Sequence, residues 1–169
     1  IARTATYERD VKNIWSTLCL PYAFNTFDDA EIYSIKDVGQ NKITVTRMVG
    51  TIDAGTPVLV RHKAGKGTIK FEATNAEIMT APTNNTVNLV GTFEGISVPD
   101  NDYIIANDKF WLVSDLKTSG KPNDVRIKGF RAYVSGSAGH AAAGVLNIVS
   151  DETDAIASLN AADDGTGAC

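Results

Sequence analysis

AEIYSIKDV at residues 30–38, GQN at 39–41 and KITVTRMV at 42–49 read as a β-hairpin. The second arm alternates cleanly. Ile43, Val45 and Arg47 fall on one face and Thr44, Thr46 and Met48 on the other, the period of two that a half-buried strand requires. The first arm alternates only roughly, because Ile32 and Ile35 are out of phase. Gly39, Gln40 and Asn41 supply the turn chemistry between them.

The same pattern of short β-branched and aromatic runs between Gly, Pro, Asn and Asp extends in both directions. Upstream, residues 3–9 (RTATYER) form a polar, Thr-rich edge-strand candidate, and 14–20 (IWSTLCL) an apolar one that stops at Pro21. Downstream, strands are expected over 57–62, 68–73, 88–94, 102–106, 109–114, 125–134 and 144–149, with KAGKG at 63–67 as a hairpin turn. Helix signals are confined to one turn near 25–31 and an Ala-rich stretch at 137–144. An all-β fold follows, an antiparallel β-sandwich of about ten short strands with little helix. It is expected as one domain over residues 1–154, followed by a flexible acidic, Gly/Ala-rich tail over 155–169.

Bulk composition removes several function classes. A hydrophobic fraction of 43% and a charged fraction of 21% are those of a globular domain. The net charge of −4 argues against nucleic acid or an anionic membrane surface as partner. No apolar run approaches the roughly 18 residues of a membrane span, so no membrane insertion is expected. Ile1 in place of an initiator Met, with no signal peptide, reads as a mature protein or an excised piece of something longer.

No catalytic constellation assembles along the chain. Of the two histidines, His62 follows a strand in a basic context and reads as an exposed edge position. His140 lies in a Gly/Ala/Ser loop where Ser137 lacks the spacing of a nucleophile elbow. Cys19, Cys169 and the two histidines do not make a zinc set, and no metal or other cofactor is expected. Cys19 reads as a small core residue, and a disulfide to Cys169 as the alternative. The loop acids Asp100 and Asp102, before the strand that begins at Tyr103, are the oxygen ligands first in line for inspection. Asn84-Asn85-Thr86 fits the N-glycosylation pattern, which matters in a eukaryotic secretory host. Flat aromatic faces are the other means of binding, since sugar sites stack on exposed Trp and Tyr. In Phe110-Trp111-Leu112 one of the two rings must face away from the core of a regular strand. Trp111, Tyr103, Asp100 and Asp102 are therefore the ligand-binding candidates, and Arg131, between Phe130 and Ala132, reads as a paired, partly buried structural arginine.

Three stretches also carry a resemblance. Thr6-Tyr7 with Trp15-Ser16-Thr17-Leu18-Cys19-Leu20-Pro21-Tyr22, then Ala54-Gly55-Thr56-Pro57-Val58-Leu59-Val60, then Lys128-Gly129-Phe130-Arg131-Ala132-Tyr133-Val134 stand in this order. Together they resemble the WxTLCLPF, AGTPYLI and FRAYF signatures of a repeated domain in large surface proteins of gut Bacteroidales. The resemblance implies a module near the C-terminus of a secreted multidomain protein, often after leucine-rich or sugar-active modules; it implies no site residues. The expectation is a non-enzymatic module of a secreted or cell-surface bacterial protein, in adhesion or as a spacer, whose partner is a glycan or a host or surface protein. A carbohydrate-binding module and a strand-exchanging assembly subunit, offering an edge strand near Thr4 to Tyr7, are the alternatives.

Overall fold

The expected hairpin is present in the computed structural model, which describes residues 2–25, 27, 29–86, 88–118, 123–136 and 144–151. Here β3 (Ala30–Val38) pairs antiparallel with β4 (Lys42–Arg47), placing Ile35 opposite Val45. The irregular phase of β3 has two physical causes. Its register shifts between Ile35 and Asp37, a bulge that lets Ile35 and Val38 pack on the same core despite their spacing of three. Further up the strand, Ile32 and Tyr33 point to opposite faces and both are fully buried, because this strand has a hydrophobic layer on each side.

Thirteen strands are formed among the described residues, where the sequence offers eleven runs, and the all-β class with little helix holds. The remaining strands are β1 (Ala2–Val11), β2 (Ser16–Leu18), β5 (Val58–His62), β6 (Gly67–Ala76), β7 (Leu89–Thr92), β8 (Ile96–Ser97), β9 (Tyr103–Ala106), β10 (Lys109–Leu112), β11 (Arg126–Ile127), β12 (Arg131–Val134) and β13 (Val145–Ser150). The single helix among the described residues, α1 (Val113–Thr118), replaces the strand end expected at 113–114. None of the described helical segments is long and apolar enough to cross a membrane.

The layering differs from two facing antiparallel sheets. Nine strands form one sheet in the order β2-β5-β3-β4-β13-β10-β9-β12-β7. Its ladders are antiparallel except β4–β13, where Ile148 stands beside Ile43 in parallel. The sheet rolls until β2 meets β12, where Ala132 N donates to Thr17 Oγ1 at 3.1 Å and Cys19 N donates to Phe130 O at 3.2 Å. A side-chain hydroxyl thus bridges the seam that ladder pairing leaves open, and the sheet is nearly closed, like a barrel. Tyr33, Ile43, Val45, Leu59, Tyr103, Phe110 and Leu146 fill one core.

The second core lies beneath a separate two-stranded ribbon of β1 and β6, paired from Thr4 opposite Thr74 to Val11 opposite Gly67. Ile69 and Phe71 from the ribbon meet Leu18, Ile32, Val58 and Val60 from the sheet. This explains why β2 and β5 read as continuous apolar runs: Val58 and Val60 face the ribbon while Leu59 faces the other core. The KAGKG connection is consequently a turn between two different sheets and not a hairpin within one.

A buried hydroxyl ties the layers. Tyr22 Oη donates to Phe71 O at 2.7 Å, and burial pushes this phenol up to about 12. Tyr22→Phe should leave the Phe71 carbonyl without its partner and cost about 1–3 kcal/mol in urea unfolding. The sign with pH follows from the raised value: the stability that the hydroxyl gives is whole below its unfolded pKa near 10 and is lost as pH rises through about 12.

A candidate anion-binding cleft

On β1 the residues of one face are Ala5, Tyr7, Arg9 and Val11. Ala5 and Tyr7 pack on the core under the ribbon and Val11 is buried within it, so the alternation directs Arg9 inward as well. Arg9 does not find a carboxylate there. Its Nη2 donates to Ser16 Oγ at 2.6 Å and to Thr17 O at 2.9 Å, and its Nη1 reaches Tyr7 Oη at 3.4 Å. From the sheet, Arg131 at the start of β12 donates from Nη1 to the same Tyr7 hydroxyl at 2.8 Å and to Gly129 O at 3.4 Å.

Two guanidiniums therefore converge on one neutral oxygen. Neither takes part in an ion pair among the described residues. Burial, reinforced by the Arg131 charge, pulls Arg9 down from its ordinary value to about 10. The folded chain thus binds this proton less tightly than the unfolded one, so the destabilisation is whole below about 10 and is relieved only as pH rises from there toward the ordinary arginine value.

Beside the pair opens a cleft of about 230 Å³, lined by Arg9, Lys12, Trp15, Ser16 and Arg131 among others. Its one acid, Asp10, has Oδ1 engaged by the Thr68 hydroxyl across the ribbon. Three cations against one acid make this a positive locus on a chain of net charge −4. A guanidinium carries five N–H donors in a fixed fork, and the contacts above leave donors on both arginines unused. The arrangement can hold an oxyanion.

Backbone strain accompanies it. Phe130, immediately before Arg131, has φ of 61°, the left-handed region that a bulky side chain seldom adopts. It is held there by Phe130 N donating to Thr92 O at 2.8 Å, by its carbonyl accepting from Cys19 N, and by ring contacts to Tyr7 at 5.6 Å and Phe93 at 6.1 Å. Such a conformation costs of order 1–3 kcal/mol, and strain of this kind concentrates at functional positions.

The residues expected to bind ligand do not line this cleft. Tyr103 is 1% exposed and belongs to the barrel core. Trp111 is half-buried on the opposite face, opposite Ile104, and its indole N–H donates to Ala106 O at 2.7 Å. Phe110 is the ring that turns inward. Asp100 Oδ1 takes a 2.6 Å contact from Lys117, and Asp102 Oδ1 accepts from Gly136 N at 2.8 Å, so both acids hold the loop that leads into β9 and α1. Each candidate thus has a structural partner of its own.

All thirteen aromatics, two Trp, five Tyr and six Phe, are among the described residues, and every one is buried or half-buried. His62 is half-buried, with Nδ1 accepting from Ala64 N at 3.0 Å, and so caps the turn after β5. Cys19 is fully buried, as expected of a core residue. His140, Ser137, Cys169 and the 155–169 tail lie outside the described residues.

Sequence reasoning singled out Arg131 as structurally paired; its partner is a neutral phenol and not an acid. Arg9 was missed. The signal for it lay in the alternation itself, where a cation occupies the same face as Ala5, Tyr7 and Val11. Comparison with protein families, with curated proteins and with solved structures finds no match for this chain.

Proposed function

We propose that this chain is a non-enzymatic binding module of a secreted or surface-attached bacterial protein, and that it recognises an oxyanion held between Arg9 and Arg131. The observation that carries the reading is the convergence of two half-buried guanidiniums on Tyr7 Oη with no ion pair to either among the described residues. A structural role alone would be better served by an acid, because burying uncompensated like charges costs stability. The secreted and surface setting is supported by the resemblance of residues 15–22, 54–60 and 128–134 to a repeated surface-protein domain. In that setting the cleft serves adhesion to an anionic group on a partner.

Calorimetric titration with sulfate, phosphate and acetate, each at constant ionic strength, tests it. One-to-one binding is expected with a dissociation constant on the order of a millimolar, from two charge-assisted contacts of about 1.5–3 kcal/mol each. Affinity should fall as pH rises through about 10, where Arg9 loses its proton. Absence of binding by all three anions at pH 7 would overturn the proposal.

A further inference from the structure

The cleft opens from a strand whose other edge meets no strand among the described residues. β1 is ten residues long and, among the described residues, pairs with β6 alone. Its register runs without a bulge from Thr4 to Val11. The strand, ARTATYERDV, contains no proline and no lysine. Proteins that guard a long edge strand use bulges, prolines, short length or charged side chains, and of these β1 has only its charges, Arg3, Glu8, Arg9 and Asp10. Its outward side chains Thr4, Thr6, Glu8 and Asp10 are exposed, and its inward ones anchor the ribbon on the core. The backbone donors and acceptors along the outer edge take part in no ladder among the described residues.

Arg9 belongs to this strand, and Arg131 touches it through Tyr7. Lys12 follows immediately after its end and lines the same cleft. Against Glu8 and Asp10 on the same half of the strand, the cations Arg9, Lys12 and Arg131 leave a net charge of +1 (three minus two) on a protein that is otherwise acidic. An added strand would gain affinity from main-chain hydrogen bonds and specificity from what its alternate side chains meet.

We propose that the outer edge of β1 takes up an extended peptide segment as an additional strand, with a carboxylate side chain of that segment seated between Arg9 and Arg131. This rests on the oxyanion reading and specifies its partner as an acidic, extended polypeptide. Charge complementarity selects the acid, and the unbroken edge selects the extended backbone.

The test uses the full chain and three synthetic nonapeptides of alternating valine and threonine. One has a central glutamate, the second a central glutamine, and the third the glutamate with every second backbone nitrogen methylated. The glutamate peptide should bind about ten-fold or more tightly than the glutamine peptide, the ratio expected for one charge-assisted contact. It should slow amide hydrogen exchange along β1, and the methylated peptide should do neither. In Arg131→Met the advantage of the glutamate peptide over the glutamine peptide should shrink, because Arg9 alone remains to meet the carboxylate. Equal affinity of the two peptides for the native protein, or binding without protection of β1, would overturn the inference. If sulfate and acetate bind but no peptide does, this inference fails and the oxyanion reading stands. If nothing binds, both fail.

Discussion

Phe71→Ala should destabilise the protein by about 3–5 kcal/mol, the range for removing a large ring from a packed core. Phe71 is fully buried at the centre of the ribbon, edge-on to Phe24 with ring centroids 5.0 Å apart and tilted against Phe27 at 6.5 Å. Few neighbours can move into the vacated volume, because Ile69, Leu18 and Val60 are themselves fixed in the same layer. A two-stranded ribbon has little stability of its own, so β1 and β6 depend on this layer to stay on the sheet. Since folded domains are stable by only about 5–15 kcal/mol, such a loss is a large part of the whole. Urea unfolding gives the number; a loss below about 1 kcal/mol would show that the ribbon is held by something other than this core.

The second large effect falls on binding. Arg9→Met and Arg131→Met should each weaken sulfate binding by about ten-fold to a hundred-fold, which is one charge-assisted contact of about 1.5–3 kcal/mol. Their effects on the fold should differ. Arg9 also bonds Ser16 Oγ and Thr17 O, so its loss detaches β1 from β2 and lowers stability. Arg131 makes its bonds to Tyr7 Oη and Gly129 O, and its charge opposes that of Arg9. Calorimetric titration of both variants checks the first point and their unfolding curves the second.

The strands were largely legible and their layering was not. KITVTRMV at 42–49 has one buried face, and its period of two is visible in the residues. In AEIYSIKDV that period is broken by a bulge and by burial on both faces, and neither cause can be read before the partners are known. VRIKGFRAYV at 125–134 looked like one strand. It is two short ones, β11 and β12, separated by the left-handed Phe130, a conformation that residue type alone argues against. Helix α1 is only six residues long, too short for a helical period to show. KAGKG carries the same turn chemistry whether it joins partners or sends the chain to another sheet.

The cleft was less legible still. Trp111 and Tyr103 were attractive because rings and loop acids are common in sugar sites, yet Tyr103 stands opposite Leu112, the residue after Trp111, and so the two rings take opposite faces of neighbouring strands. Arg9 and Arg131 are separated by more than a hundred positions and meet through Tyr7 only once the ribbon lies across the sheet. Residue type and spacing do not encode such a meeting. That neither guanidinium forms an ion pair among the described residues, which gives the arrangement its meaning, is visible only in three dimensions.

The central claim is that Arg131 is kept for an anion and not for the fold, and the melting temperature of Arg131→Met with and without low millimolar sulfate at matched ionic strength tests it most directly. The account predicts that the variant melts no lower than the native protein in sulfate-free buffer, since one of two opposed charges is gone, and that the rise produced by sulfate in the native protein disappears. A fall of several degrees without sulfate, about 2–4 °C for each kcal/mol lost in a chain of this size, together with an undiminished rise on adding sulfate, would make Arg131 a structural residue and contradict the account.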